Sequence, residues 1–460
     1  MPPELALEMI LRATGGRVLR GVAPAAFHGV STDTRTLSAG SLFVALKGEQ
    51  FDGHRFVDEA FSCGAGAAVV SVGLAATGPL ILVDETLKAL GAIAAAHRAA
   101  LPVQVVAVTG STGKTTTKEM IAAILSQGGP TARTPGNFNN EVGVPLALLD
   151  LDEAHRAAVV ELAMRGRGQI AYLAAMAKPQ VGVITSVGVS HMELLGSREA
   201  IAETKAELLA ALADDGTAVL NADDEFFEFL RRRSRAKVVS FGTKAAQVQV
   251  SDVTIGADAR VQFRLRGWWG EQQIRLQAAG RHHALNAAAA AAAAMSAGAK
   301  AKWVEAGLGA FEAADMRGQI TAAPAGYTVI NDSYNAAPDS MRVALELLMD
   351  LPGERKWAVL GDMKELGELS ANWHREVGEL AAGLGIAGLV TVGALGRAIA
   401  EGARPGMVGR DVVEAESNAE AAAAIAARMK AGDVVLVKGS RAMKMEEIVR
   451  SLTGKSGGHG

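Results

Sequence analysis

Residues 105–119, VVAVTGSTGKTTTKE, are the part of the chain best equipped for chemistry, because an apolar β-branched run breaks at Thr109-Gly110 and ends in Gly113-Lys114-Thr115. A strand-to-helix turn of this kind aims backbone N–H groups at an anion. Lys114 adds a point charge for β- and γ-phosphates, and the Thr115 hydroxyl suits a Mg2+ ion. The stretch therefore predicts ATP binding by Gly110, Ser111, Thr112, Gly113, Lys114, Thr115 and Thr116. Val108 stands where the longer form of such loops carries its first glycine, so the match is to the shorter pattern T-G-x-x-G-K-T-T.

A phosphate loop holds a nucleotide without saying where its γ-phosphate goes, so its partners are expected at the C-terminal ends of neighbouring strands. Glu161 closes the apolar run AAVVE, and a carboxylate there could share a Mg2+ with Thr115. His191 follows the run VGVITS in a Gly-Val-Ser-His loop, where a single histidine reads as structural or exposed unless context gives it a ligand. Lys205 falls within IAETKAELL, whose apolar face is set by Ile201 and Leu208, and by itself it reads as a solvated lysine.

The elements that must position these residues follow a βαβ rhythm. Apolar runs at residues 157–162, 181–186 and 217–220 precede helical patterns, and a second series at 328–330, 358–360, 389–392 and 434–437 is separated by Ala-rich helices. The expected fold is α/β in three domains: a small N-terminal α/β domain over residues 1–102, a central phosphate-loop domain with a doubly wound, mostly parallel sheet over 103–316, and a C-terminal Rossmann-like α/β domain over 317–455. Residues 456–460 read as a disordered tail.

With 460 residues, 49% hydrophobic and 21% charged, the chain reads as globular and multidomain, and a net charge of −3 gives no footprint for nucleic acid. The longest uncharged stretch, residues 284–299, is mostly alanine and too short to span a bilayer, so it reads as a tightly packed helix. The single Cys63 lies in an Ala/Gly-rich segment and reads as a buried structural thiol. No N-terminal signal core is present, and a reducing, cytoplasmic setting is expected.

Six ordered blocks carry a family resemblance: TGSTGKTTTKE, PGNFNNEVGVPLALL, VVELAM, SVGVSHMELLGSREAIAETKAELL, NADD and GRHHALNAAAAA. Together they closely resemble the Mur ligases of bacterial peptidoglycan synthesis, from about residue 28 to about residue 450. Within that family, NDSYNAAPDSM, LGDMKELGE and VLVKGSRAMKME resemble the branch that adds D-Ala-D-Ala to UDP-N-acetylmuramoyl-tripeptide.

The resemblance implies an ATP-dependent amide ligase working through an acyl phosphate. Thr115 and Glu161 would hold one Mg2+ and His191 a second, with Lys114 on the γ-phosphate. Lys205 matches a family lysine that CO2 can carbamylate, a reaction that requires the neutral amine. Asn286, Asp332, Tyr334 and Asn335 would meet the adenosine, and Arg317 would reach the phosphates from the third domain. His283 stands where the family pattern has Asn. Ser31, Asp33, Arg35 and Gly48 would contact the UDP group. Asn137, Asn139, Asn140 and Glu141 would face the nucleotide-peptide substrate. Asp362, Lys438, Ser440 and Arg441 would lie near the incoming dipeptide, with Arg441 gripping a carboxylate. The third domain is expected to close over ATP in a monomer. The rivals are a family ligase adding a dibasic third residue, whose D-N-P-R block is replaced here by Asp362-Met363-Lys364-Glu365, and a folylpolyglutamate-synthase-like ligase, which lacks the UDP-recognition segment.

Overall fold

Short runs rich in valine, leucine and alanine form the strands, and where helices cover both faces of a sheet those runs are buried along their whole length. The computed structural model describes residues 3–48, 51–190, 192–256 and 258–454. His191 and residues 456–460 lie outside the described residues.

The first sheet has five strands in the spatial order Arg17–Arg20, Leu80–Leu82, Ala67–Val70, Leu42–Val44 and Val30–Ser31. Only the pairing of the first two is antiparallel. The helix Thr86–Ala100 ends this region, and its Arg98 guanidinium donates to the carbonyls of Leu101 at 3.0 Å, Val103 at 2.9 Å and Ala177 at 3.1 Å. One buried cation thus pins the connection into the next sheet.

The central sheet places Gln104–Thr109 between Ala157–Glu161 and Val181–Ile184, all parallel. Thr131–Arg133 lies at one edge, while Thr217–Asn221, Lys237–Gly242 and Val248–Ile255 extend the parallel set on the other side. The expected doubly wound, mostly parallel sheet is present. It also has an antiparallel extension, Val261–Gly267 and Gly270–Arg275, that the βαβ rhythm did not anticipate. In Val261–Gly267 buried and more exposed positions alternate, as expected of a strand with one face on the core.

The alanine-rich stretch is the helix His282–Ser296, with every residue from 287 to 294 buried, and it packs on the phosphate-loop helix Lys114–Leu125. Methyl side chains permit that close approach. A glycine makes the next one: a Cβ on Gly307 would lie 2.5 Å from the Cα of Ile124. No helix among the described residues is long and apolar enough to cross a membrane.

The third sheet has the order Gln319–Ala322, Thr328–Asn331, Val434–Lys438, Lys356–Gly361, Gly388–Val392 and Asp411–Ala415, parallel except for the first strand. Its C-terminal strand ends carry Asp332, Asp362 and Lys438. Two expectations are corrected. Cys63 is exposed, because it closes the short helix Val57–Ser62 just before a surface turn at Gly64, φ +96°. Lys205 is 1% exposed rather than solvated, because its helix Arg198–Ala210 turns that side toward the phosphate loop as well as its apolar face toward the core.

Candidate functional site

The strand Gln104–Thr109 delivers the chain to Gly110, whose φ of +151° belongs to the region open to glycine, and Gly113 at φ +79° starts the helix Lys114–Leu125. Among the described residues the amides of 113–116 meet no protein acceptor, so they remain available to an anion. Ser186 braces the loop from behind: its carbonyl accepts Ser111 N–H at 2.9 Å and its hydroxyl accepts Thr112 N–H at 3.2 Å. The Lys114 ammonium folds over the loop, donating to the carbonyls of Gly110 at 2.8 Å and Ser111 at 3.2 Å. Burial lowers its pKa, the Glu161 carboxylate opposes that effect, and Arg317 adds to it.

At the second position of the helix, Thr115 donates its hydroxyl hydrogen to Glu161 Oε2 at 2.7 Å, while Asn139 Nδ2 donates to Glu161 Oε1 at 2.9 Å. Glu161 is 2% exposed, so its carboxylate is buried in the site. A buried hydroxyl and carboxylate side by side are oxygen donors suited to Mg2+, which takes few protein ligands and leaves positions for phosphate oxygens and water. No group of three or more His, Cys, Asp or Glu side chains placed to hold a metal ion is found among the described residues.

Lys205 is held well below the usual lysine pKa, first by burial and then by the Lys114 charge, with Asp224 pulling the other way. Asp224, from the NADD block, accepts Val187 N–H at 2.7 Å, and Arg198 donates to Val187 O at 3.1 Å. These two residues grip the loop that leads toward residue 191; both lie in the sequence blocks singled out above, but neither was given a role.

The phosphate loop opens into a cavity of about 580 Å3 between the central and third sheets. Gathered on its walls are the predicted residues 111–116, Glu161, Asn286, Arg317, Asp332, Tyr334, Asn335 and Lys438, together with Asn137, Asn139, Asn140 and Glu141. Arg317 stacks on the Tyr334 ring with 4.0 Å from its guanidinium carbon to the ring centre. Lys438 Nζ donates to Asp332 Oδ2 at 2.6 Å and to Asn335 O at 2.9 Å, tying the two strand ends together. His282, Phe241 and Leu347 also line the cavity and were not singled out in the sequence. Burial pushes the His282 pKa down to about 4 and keeps His283 neutral as well.

Other predicted residues lie elsewhere. Asp362 is 2% exposed and turns inward, where Oδ1 accepts the amides of Leu395 and Gly396 at 3.0 Å each and Oδ2 meets Lys364 at 2.9 Å. Ser440 Oγ accepts Lys364 N–H at 2.9 Å. Arg441 pairs with Glu446 at 2.9 Å on the surface. In the first domain Asp33 and Arg35 pair with each other, Ser31 accepts Asp33 N–H at 3.1 Å, and Gly48 N–H donates to Phe51 O at 2.8 Å. None of these seven lines the main cavity. His191 is outside the described residues.

Family models agree with this arrangement of sheets along the chain: the Mur ligase family, catalytic domain model matches residues 26–98, the Mur ligase middle domain 108–294, and the Mur ligase, glutamate ligase domain 316–441. The chain belongs to the Mur ligase family. Among similar Mur ligases is the UDP-N-acetylmuramoyl-tripeptide--D-alanyl-D-alanine ligase of Bacillus subtilis (strain 168), 39% identical over 432 residues, which are 92% of this chain and 93% of that protein. The crystal structure of MurF from Acinetobacter baumannii superposes with a TM-score of 0.92 at 32% identity, covering 99% of this chain and 100% of the other. MurF ligase from Thermotoga maritima in complex with ADP gives a TM-score of 0.84 at 29% identity, with 93% and 97% covered.

Proposed function

We propose that the cavity joins D-Ala-D-Ala to UDP-N-acetylmuramoyl-tripeptide at the expense of ATP, yielding UDP-N-acetylmuramoyl-pentapeptide, ADP and phosphate in peptidoglycan precursor synthesis. The observation that carries the reading is the phosphate-loop cavity itself: a nucleotide cradle, a buried Thr115–Glu161 oxygen pair and an asparagine-rich loop share one wall, and the third sheet forms the other. Relatives at this level of identity, bearing the D-alanyl-D-alanine ligase name over nine-tenths of the chain, support the same substrate pair.

A carboxylate does not react with an amine in water, so the tripeptide carboxylate must first be activated. Its oxygen attacks the γ-phosphorus of ATP, the bond to the β,γ-bridging oxygen breaks, and ADP leaves behind an acyl phosphate. Lys114 and the free amides of residues 113–116 stabilise the charge that spreads over the moving phosphoryl group. Thr115 and Glu161 would hold Mg2+, with His191 near a second ion, and bound Mg2+ supplies charge neutralisation on the phosphate oxygens. Arg317, held flat by Tyr334, adds a cation from the third domain. A neutral Lys205 amine beside Lys114 is the form that CO2 can convert to a carbamate, which would give that corner of the site a negative charge.

The dipeptide amine then attacks the acyl carbon, and the tetrahedral intermediate collapses to the amide, expelling phosphate with its bonding electrons. Asn286 and Asp332 supply the donor and acceptor groups that an adenine edge and ribose hydroxyls need. The UDP group would lie against the first domain near Ser31, Asp33, Arg35 and Gly48. Closure of the third domain over the cavity would exclude water from an intermediate that hydrolyses readily.

The test is phosphate release with each substrate omitted in turn. Release should require ATP, the UDP-tripeptide and D-Ala-D-Ala together. Release at an undiminished rate from ATP and the dipeptide alone would contradict the reading.

A further inference from the structure

Lys118 lies one turn beyond Lys114 and Thr115 on the same helix, and the mechanism above gives it no task. It is 0% exposed, which lysines rarely are unless paired. Its ammonium donates to the carbonyls of Thr134 at 2.6 Å and Gly136 at 3.3 Å and lies 3.0 Å from Glu119 Oε1. Glu119 in turn meets Arg133 at 2.6 Å. A methionine would fill similar space without desolvating a charge, so the cation must secure something that packing alone does not.

What it secures is the segment just before the asparagine-rich loop. Thr134 Oγ1 accepts Glu161 N–H at 3.1 Å, and Thr134 N–H donates to Val159 O at 3.1 Å, so this residue ties the loop's start to the strand that presents Glu161. Gly136, at φ +50°, turns the chain into residues 137–141. Asn139 then closes the circuit: its side chain donates to Glu161 Oε1 and its carbonyl accepts Ala163 N–H at 2.9 Å. Asn140 Oδ1 accepts Gly143 N–H at 2.9 Å and fixes the loop's far end. The loop is held at both ends, and at its near end the donor comes from the phosphate-loop helix.

We infer that Lys118 is a positioning residue that ties the phosphate-loop helix to residues 137–141 and thereby sets affinity for the nucleotide-peptide acceptor. The inference rests on the reading that this loop faces that acceptor. It predicts a selective defect. Removing the ammonium leaves the buried Thr134 carbonyl and the more exposed Gly136 carbonyl without this donor and Glu119 with Arg133 alone, and the loop relaxes while the amides of residues 113–116 stay in place.

Three variants of the full chain test it: Lys118→Met, which keeps the stem and removes the donors, Lys118→Gln, which keeps one polar head, and Lys118→Arg, which keeps the charge. Calorimetric titration with UDP-N-acetylmuramoyl-tripeptide in the presence of β,γ-methylene ATP should show the Kd raised about tenfold or more in Lys118→Met, the expected loss of a charged hydrogen bond. Lys118→Arg should recover most of that loss, KM for D-Ala-D-Ala should stay within about twofold, and ADP affinity should hold. If Lys118→Met does not fold, Lys118→Gln carries the same comparison. Equal weakening of all three ligands, or an unchanged acceptor Kd, overturns the inference. A wild-type protein that binds the acceptor in this Lys118-dependent way but forms no amide would overturn the proposed reaction and leave the positioning role standing.

Discussion

Lys205 shows how far burial can reverse what a side chain appears to be. On a helix patterned by Ile201 and Leu208 it reads as solvated, yet it is buried beside Lys114 with its pKa well below 10.5. The sign of the consequence follows from proton binding. The unfolded chain takes up a proton that the folded chain refuses, so this lysine costs stability at neutral pH, and the cost fades as pH rises toward 10.5. Lys205→Met should therefore raise the midpoint of chemical unfolding at neutral pH by the equivalent of about 1 kcal/mol or more and flatten its rise toward alkaline pH. The same variant should lower turnover about a hundredfold if the group orders charge at the phosphoryl site. An unchanged pH slope of stability would show that the folded protein carries Lys205 protonated. Thr115 and Glu161 were easier to foresee, because one is fixed by a contiguous motif and the other ends an apolar strand. Lys118, Arg198 and Asp224 were not, since their roles come from carbonyls and amides 11 or more residues away in sequence, as with Arg198 and Val187.

At the scale of elements, the strand-loop-helix around Gly113 joins local conformation to packing between helices. A Cβ at Gly113 would be strained at φ +79° and would lie 2.5 Å from Asn286 Oδ1 on the alanine-rich helix. Gly113→Ala should therefore weaken ATP binding about tenfold or more and destabilise the fold by about 1–2 kcal/mol. Nucleotide titration and chemical unfolding check the two effects. Wild-type affinity in the variant would mean that the loop and Asn286 are not packed as described. The glycines and the Lys-Thr-Thr made this element legible, and the run of alanines announced close helix packing. Cys63 misled for a related reason: small residues signal close approach in a helix interior, but around Gly64 they accompany a surface turn. The antiparallel strands after residue 260 went unread because the preceding βαβ rhythm set the expectation, although their period of two was present in the sequence.

For the whole molecule, the central and third sheets meet around one cavity, and the third is fastened to the central one by side chains well away from the phosphates. Arg281 pairs with Asp350 at 3.0 Å, and Asp339 Oδ2 accepts Val189 N–H at 3.3 Å in the loop beside Ser111. Such contacts were illegible because each joins residues far apart in sequence, whereas the order of strand and helix patterns gave the layered α/β architecture directly. The position of Asp362 shows the limit of reading sites from blocks: its carboxylate accepts amides at the start of the helix Gly396–Ala403 and does not line the cavity. The central claim is amide formation through an acyl phosphate. The decisive measurement is mass spectrometry of a reaction containing ATP, Mg2+, D-Ala-D-Ala and UDP-N-acetylmuramoyl-tripeptide labelled with oxygen-18 in the reacting carboxylate. The account predicts a UDP-N-acetylmuramoyl-pentapeptide that keeps one labelled oxygen in its new amide, with the other carried away on the released phosphate. ADP accompanied by unlabelled phosphate and unconverted tripeptide would contradict it.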